Sequence, residues 1–145
     1  MLMYFPIGLV SLILIFSCED QREENFKFNE DWYNVGFLIM EGVYNTELTA
    51  PYDIFQHTQY REGIRPMNVF TIANTDRPIR TFEGLKIIPD LNYLTDKIPK
   101  IDILVVPSAE HHLDTDLDDD QMINFVKKVG REAEYVTSHC DGAFV

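Results

Sequence analysis

A chain of 145 residues has room for one domain of ordinary size. Apolar residues make up 46% and aromatic residues 12%, which suits a packed core and excludes a disordered chain. A net charge of −12 argues against a nucleic-acid partner, because phosphates would repel such a surface.

Residues 1–17 carry no charged side chain, and 7–16 are almost wholly aliphatic. The run is short for a spanning helix, which needs about 20 apolar residues. It matches the apolar region of a secretory signal. It ends Ile15-Phe16-Ser17-Cys18, with Glu19-Asp20-Gln21 behind it. A small residue before a cysteine, after an apolar run, looks like a bacterial lipobox, in which the cysteine is lipidated and becomes the mature N-terminus. No Lys or Arg precedes the run, a departure from the usual signal. An uncleaved membrane anchor and an ordinary signal peptide are the alternatives; the position of the cysteine where cleavage should occur favours a signal peptide over 1–17, an acylated Cys18 and an acidic tether over 18–34. The protein would then be an exported bacterial lipoprotein, periplasmic or outer-membrane attached. Only two cysteines are present, so an acylated Cys18 leaves Cys140 as the sole free thiol.

A domain is expected over 35–145. Residues 35–40 form a continuous apolar run, as expected of a buried parallel strand. Residues 41–48 read as a loop. A helix follows, with Thr49 as N-cap, Pro51 in the first turn, and Ile54 and Phe55 facing the sheet. A second strand is expected at 67–73, then a turn, then a hairpin of 79–82 with 85–88 around Glu83-Gly84. Residues 101–106 are another buried strand, stopped by Pro107.

Residues 118–129 are the clearest helix. Three aspartates occupy its first turn and Lys127 and Lys128 its last, as the helix dipole favours, with Gly130 as a C-terminal cap. Met122, Val126 and Val129 form its apolar stripe. The acids at 114–118 do not make an EF-hand loop, because its sixth and twelfth positions would be Asp119 and Phe125. A last strand is expected at 135–138. Strands alternating with helices give an α/β fold with a mostly parallel sheet.

Ligands of such a sheet gather at the carboxyl ends of its strands. One loop there holds Glu47. A second reads Pro107-Ser108-Ala109-Glu110-His111-His112. The third is the turn at Cys140, where a strand, a cysteine and Gly142 read as a nucleophile elbow. His139 adjoins Cys140, but neighbours in an extended segment point to opposite faces, so it is a poor base for the thiol. Neither a phosphate-binding glycine loop nor a Cys-His zinc spacing occurs, so neither cofactor nor metal is expected.

Three segments carry a specific resemblance: Gly36-Phe37-Leu38-Ile39, Glu47-Leu48-Thr49-Ala50-Pro51-Tyr52-Asp53-Ile54-Phe55, and Tyr135-Val136-Thr137-Ser138-His139-Cys140-Asp141-Gly142-Ala143. They resemble the DJ-1/PfpI (ThiJ/PfpI) family of the class I glutamine amidotransferase-like superfamily, nearest its isocyanide-hydratase-like branch. The resemblance implies a flavodoxin-like fold with flanking helices, of which the part after the elbow is missing here. It implies Cys140 as nucleophile and Glu47 as the acid that hydrogen-bonds the thiol. A protonated carboxyl group can donate to a thiolate and stabilise it, whereas an ionised one repels it. Many members have Gly-Gly where this chain has Ser108-Ala109. Ser108, Ala109, Asp141 and His111 are therefore the candidates for oxyanion donors or acid–base groups. A family triad histidine usually follows the elbow, and no sequence follows here to supply one.

The resemblance implies a cysteine-dependent hydrolase or lyase acting on a small molecule by hydrolysis, hydration or aldehyde chemistry. The alternatives are a non-catalytic module whose cysteine oxidises reversibly or senses a ligand, and an inactive fragment. The expected partners are a small-molecule substrate or oxidant and, through the lipid, a membrane. Family members often dimerise, so a homodimer is a further expectation.

Overall fold

The computed structural model describes residues 26–145. The expected signal peptide, Cys18 and the first part of the tether lie outside the described residues. The remaining part of that stretch packs against the domain. Phe26 and Phe28 cluster with Phe70, at ring-centroid distances of 5.7 and 5.1 Å. Asn68 holds Asn29 by accepting from its N–H at 3.0 Å and donating to its carbonyl at 2.8 Å.

Five parallel strands form the central sheet: β1 (Tyr33–Leu38), β2 (Met67–Ala73), β5 (Leu91–Asn92), β6 (Ile103–Val106) and β7 (Tyr135–Ser138). Their spatial order is β5-β2-β1-β6-β7. The chain moves outward from β1 to β2 and β5, then returns to the other side of β1 for β6 and β7. The order therefore reverses between β1 and β6, where open α/β sheets bind ligands. The expected hairpin is present as β3 (Ile79–Arg80) with β4 (Lys86–Ile87).

Alternation along the strands separates two cores, one on each face of the sheet. Val35, Phe37 and Val69 face one side, with Tyr52 and Phe55 of helix α1 (Asn45–Gln56). Leu38, Phe70, Leu104 and Val106 face the other, with Met122, Phe125 and Val129 of helix α2 (Asp120–Gly130). Cover on both faces is why the inner strands read as unbroken apolar runs. The edge strand β7 differs: all four of its residues are exposed.

Helix α1 departs from the sequence expectation. It begins at Asn45, so Glu47 lies in its first turn rather than in a loop. Thr49 is inside the helix, where its hydroxyl donates to the Asn45 carbonyl at 2.7 Å. The start is set by a tertiary contact: Glu83, at the hairpin, accepts from the Asn45 N–H at 3.0 Å. That carboxylate does the work of an N-cap and suits the positive end of the helix dipole. Pro51 lies well inside the helix and cannot donate to the carbonyl one turn back. Leu48, Tyr52 and Phe55 follow helical spacing onto the sheet, which turns Ile54 outward at 68% exposure.

Helix α2 starts at Asp120, two residues later than expected. Asp119 is its N-cap and accepts from Gln121 N and Met122 N at 3.0 and 3.1 Å. Phe125 joins the expected stripe and stacks on Tyr93 at 4.5 Å. Gly130 is the last helical residue rather than a left-handed cap. Arg131 closes the helix in right-handed geometry, and the Ala133 N–H donates to the Val129 carbonyl at 2.8 Å. Among the described residues no helix is long and apolar enough to cross a membrane.

Candidate functional site

The loops after β1 and β6 are stitched together. Val43 and Ala109 form an antiparallel bridge. Its flanking bonds run from Tyr44 N to the Ser108 carbonyl at 3.0 Å and from Glu110 N to the Gly42 carbonyl at 3.1 Å. Gly42 makes the approach possible: its φ is +76°, and a Cβ there would lie 2.9 Å from Glu110 Cβ. The bridge brings the first turn of α1 beside Ser108. Glu47 Oε2 accepts from the Ser108 N–H at 3.0 Å. The amide expected as an oxyanion donor is thus occupied by the carboxyl group expected to serve the thiol.

The elbow is built on the same strand end. Strand β7 runs in register with β6, pairing Val106 with Ser138, and His139 N then donates to the Val106 carbonyl at 3.1 Å. Cys140 follows at φ +43°, the left-handed region that a residue with a Cβ enters at a cost of about 1–3 kcal/mol. A short 3₁₀ turn over Cys140–Phe144 comes next, and Gly142 N donates to the His139 carbonyl at 2.8 Å. Gly142 is buried against β6. A Cβ there would meet the Pro107 carbonyl oxygen at 3.0 Å and Val106 carbonyl carbon at 3.1 Å, and would press harder still on the Val106 oxygen. Only glycine lets the elbow sit this close.

Cys140 and Glu47 are therefore placed by consecutive peptide units of one strand end. The thiol is exposed, and its hydrogen-bond partner is Asp141 Oδ1 at 3.7 Å. Among the described residues no hydrogen bond joins Glu47 to Cys140. Ser108 is buried, and its hydroxyl has no partner. Ala109 is buried in the bridge. His111 is half exposed, 3.3 Å from Asp114 and 3.9 Å from Glu110. The Thr115 N–H holds the Asp114 carboxyl below the usual carboxylate range. His139 is exposed.

His112 was indistinguishable from His111 in the sequence. It is fully buried, at 0% exposure. Its Nδ1 lies 2.8 Å from Asp116 Oδ2 and its Nε2 lies 2.9 Å from the Pro107 carbonyl. No periodic pattern marks this loop, so nothing in the sequence separated an inward histidine from an outward one.

Two cavities lie away from the elbow. One, of about 460 Å³, is lined by Tyr93, Ile98, Phe125, Lys97 and Lys128 among others. The other, of about 510 Å³, is lined by Glu41, Asn74, Arg77 and Lys86 among others. Neither is lined by Cys140 or Glu47. Among the described residues no group of three or more His, Cys, Asp or Glu side chains is arranged to hold a metal ion.

The DJ-1/PfpI family profile matches residues 33–145, and the chain belongs to that family. It is 26% identical over 111 residues to an isonitrile hydratase of Pseudomonas putida, covering 77% of this chain and 45% of that protein. The chain thus spans about half the length of this curated relative. A DJ-1 superfamily protein of Salmonella typhimurium is similar in structure at TM-score 0.64 and 16% identity, covering 78% of this chain and 58% of that one. A ThiJ/PfpI family protein of Pseudomonas syringae aligns at TM-score 0.61 and 21% identity, covering 77% and 43%. A putative protease I of Bacteroides thetaiotaomicron aligns at 0.59 and 22%, covering 77% and 64%. These likenesses establish the flavodoxin-like fold.

Proposed function

From membership of the DJ-1/PfpI family, we propose that Cys140 is the reacting group of a small-molecule site and that Glu47 is its acid partner. One observation carries the reading: Cys140 holds a left-handed backbone at the end of β7, with Gly142 wedged under it and the thiol exposed. Strain of this kind persists only where surrounding contacts over-determine it, and it presents the side chain to a reactant.

Glu47 is set up for the role by Ser108. The Ser108 N–H holds Oε2 at the end of β6, the same strand end on which the elbow is built. The chemistry fits addition of water to an electrophilic carbon. The thiol adds to that carbon through a new S–C bond, its proton passing to the substrate. Water then displaces sulfur and restores the thiol, with no change of oxidation state. With Ser108 N–H committed, the backbone amide of Asp141, the residue after the nucleophile, is the oxyanion donor in this scheme. The isonitrile hydratase relative supports a small neutral substrate of this kind.

The test is the pH profile of Cys140 alkylation by iodoacetamide. Glu47→Leu removes the donor and should slow alkylation about tenfold at a fixed pH below the midpoint, the size of one hydrogen bond to a charged group. Glu47→Gln keeps an acceptor for Ser108 and a donor for sulfur, and should stay within about threefold of wild type. Identical profiles in all three proteins would remove Glu47 from the site. Turnover of isonitriles, aldehydes or esters by wild type then separates an enzyme from a redox sensor, which would show only reversible peroxide oxidation of Cys140.

The N-terminal sequence supports a second part of the proposal. Ser17-Cys18 behind an apolar run is a lipidation signal, so the domain is carried on an acylated Cys18 as an exported, membrane-attached lipoprotein.

A further inference from the structure

His112 has no part in the chemistry above, yet it is one of the most deeply buried polar side chains of the described residues. A buried imidazole must satisfy both ring nitrogens. A carbonyl oxygen only accepts, so the Nε2 that faces Pro107 O at 2.9 Å carries a proton and donates. Asp116 Oδ2, at 2.8 Å from Nδ1, fixes the ring in that orientation. The Asp116 N–H also donates to the His111 carbonyl at 3.1 Å, which anchors the carboxylate on the same loop.

The Pro107 carbonyl and the Ser108 N–H are two ends of one peptide unit. That unit is planar, with its C=O and N–H pointing in opposite directions. Whatever fixes the carbonyl fixes the direction of the N–H. His112 holds the carbonyl, and the N–H reaches Glu47 Oε2 at 3.0 Å. Gly142 of the elbow rests against the same carbonyl oxygen.

We propose that His112 is a positioning residue, which acts through the Pro107–Ser108 peptide to aim the Ser108 N–H at Glu47 and so holds that carboxyl group for the elbow thiol. The proposal rests on Cys140 and Glu47 forming the site. It gives His112 no contact with substrate. A rotation of the peptide plane by a few tens of degrees bends the Ser108–Glu47 hydrogen bond out of line and weakens it, with no side chain of the site altered.

Two readouts test this in the whole chain. The first is hydrogen–deuterium exchange at the Ser108 amide, which reports the peptide directly. His112→Leu keeps the bulk, removes the donor, and should speed exchange there at least tenfold relative to core amides of β6. His112→Gln retains a donor within reach of Pro107 and should restore most of the protection. The second is the alkylation profile of Cys140. His112→Leu should slow alkylation by about the same tenfold as Glu47→Leu, and the double variant should be no slower than either single one, since both break one chain of contacts. Should His112→Leu fail to fold, Asp116→Ala, at a partly exposed position, should raise Ser108 exchange about threefold. Unchanged Ser108 exchange in a folded His112→Leu or Asp116→Ala protein overturns the proposal. So does an additive loss in the double variant. Faster Ser108 exchange with alkylation unmoved in every variant, Glu47→Leu included, locates the failure in the site reading and not in the peptide relay.

Discussion

Gly142→Ala is the substitution to which the elbow should respond most sharply. The added methyl would lie 3.0 Å from the Pro107 carbonyl oxygen, 3.1 Å from the Val106 carbonyl carbon, and closer still to the Val106 oxygen. Comfortable non-bonded separation is about 3.5 Å or more, so the turn must retreat from β6 by on the order of 1 Å. Val106 belongs to the paired strand β6, and Pro107 follows it directly with its carbonyl held by His112, so neither swings aside easily. The loss should be about 1–3 kcal/mol, the range for overpacking. For a urea slope of about 1–3 kcal/mol per molar, that lowers the unfolding midpoint by roughly 1 M. Retreat also draws Cys140 away from its left-handed conformation and from Glu47, and a misplacement of about 1 Å can cost on the order of a hundredfold in rate. The assay pairs urea unfolding with turnover or with Cys140 alkylation. Ala143→Ser, at an exposed neighbour, is the control and should stay within about 0.5 kcal/mol of wild type. A Gly142→Ala protein with the stability and thiol kinetics of wild type would refute the packing argument and, with it, the assignment of this turn as an elbow.

Two further outcomes are expected. Asp102 stands at the amino end of β6: burial raises its pKa, but the Asn34 N–H and the Lys100 ammonium outweigh that and leave the carboxyl below the usual range. With the folded value depressed, its contribution is present above the unfolded value of about 3.9 and is lost as pH falls through the folded one. Asp102→Asn should therefore be less stable than wild type at pH 6, with the gap in urea midpoints closing toward pH 3; a gap independent of pH would contradict this linkage. Cys18→Ser should move the protein from the membrane to the soluble fraction and abolish labelling by a fatty-acid probe, and wild-type protein that never takes up the label would remove the lipoprotein proposal.

The strands were legible because their cause is local. A parallel strand covered on both faces must be apolar at every position, and 35–40, 67–73 and 101–106 are so or nearly so. The elbow was legible because a left-handed turn after a strand leaves a short signature, a cysteine with glycine two residues on. Helix α1 was misread at its start because the group that caps it, Glu83, is 38 residues away. Ile54 was placed inward by being apolar, and the helical phase set by Leu48, Tyr52 and Phe55 turned it out.

By itself the sequence determined the α/β class and the chain order of the four longer strands of the central sheet, because each follows from residue type or periodicity, and it singled out Cys140 and Glu47 as candidates by short spacing; the two-residue strand β5 is too short to leave a periodic signal. Only the tertiary structure decided which backbone amide Glu47 occupies, why position 142 must be glycine, and which of two adjacent histidines is buried. Those depend on the β1 and β6 loops meeting across the bridge of Val43 with Ala109. Contact between segments more than sixty residues apart leaves no mark in either segment alone, since each residue type involved has an ordinary exposed use elsewhere on the surface.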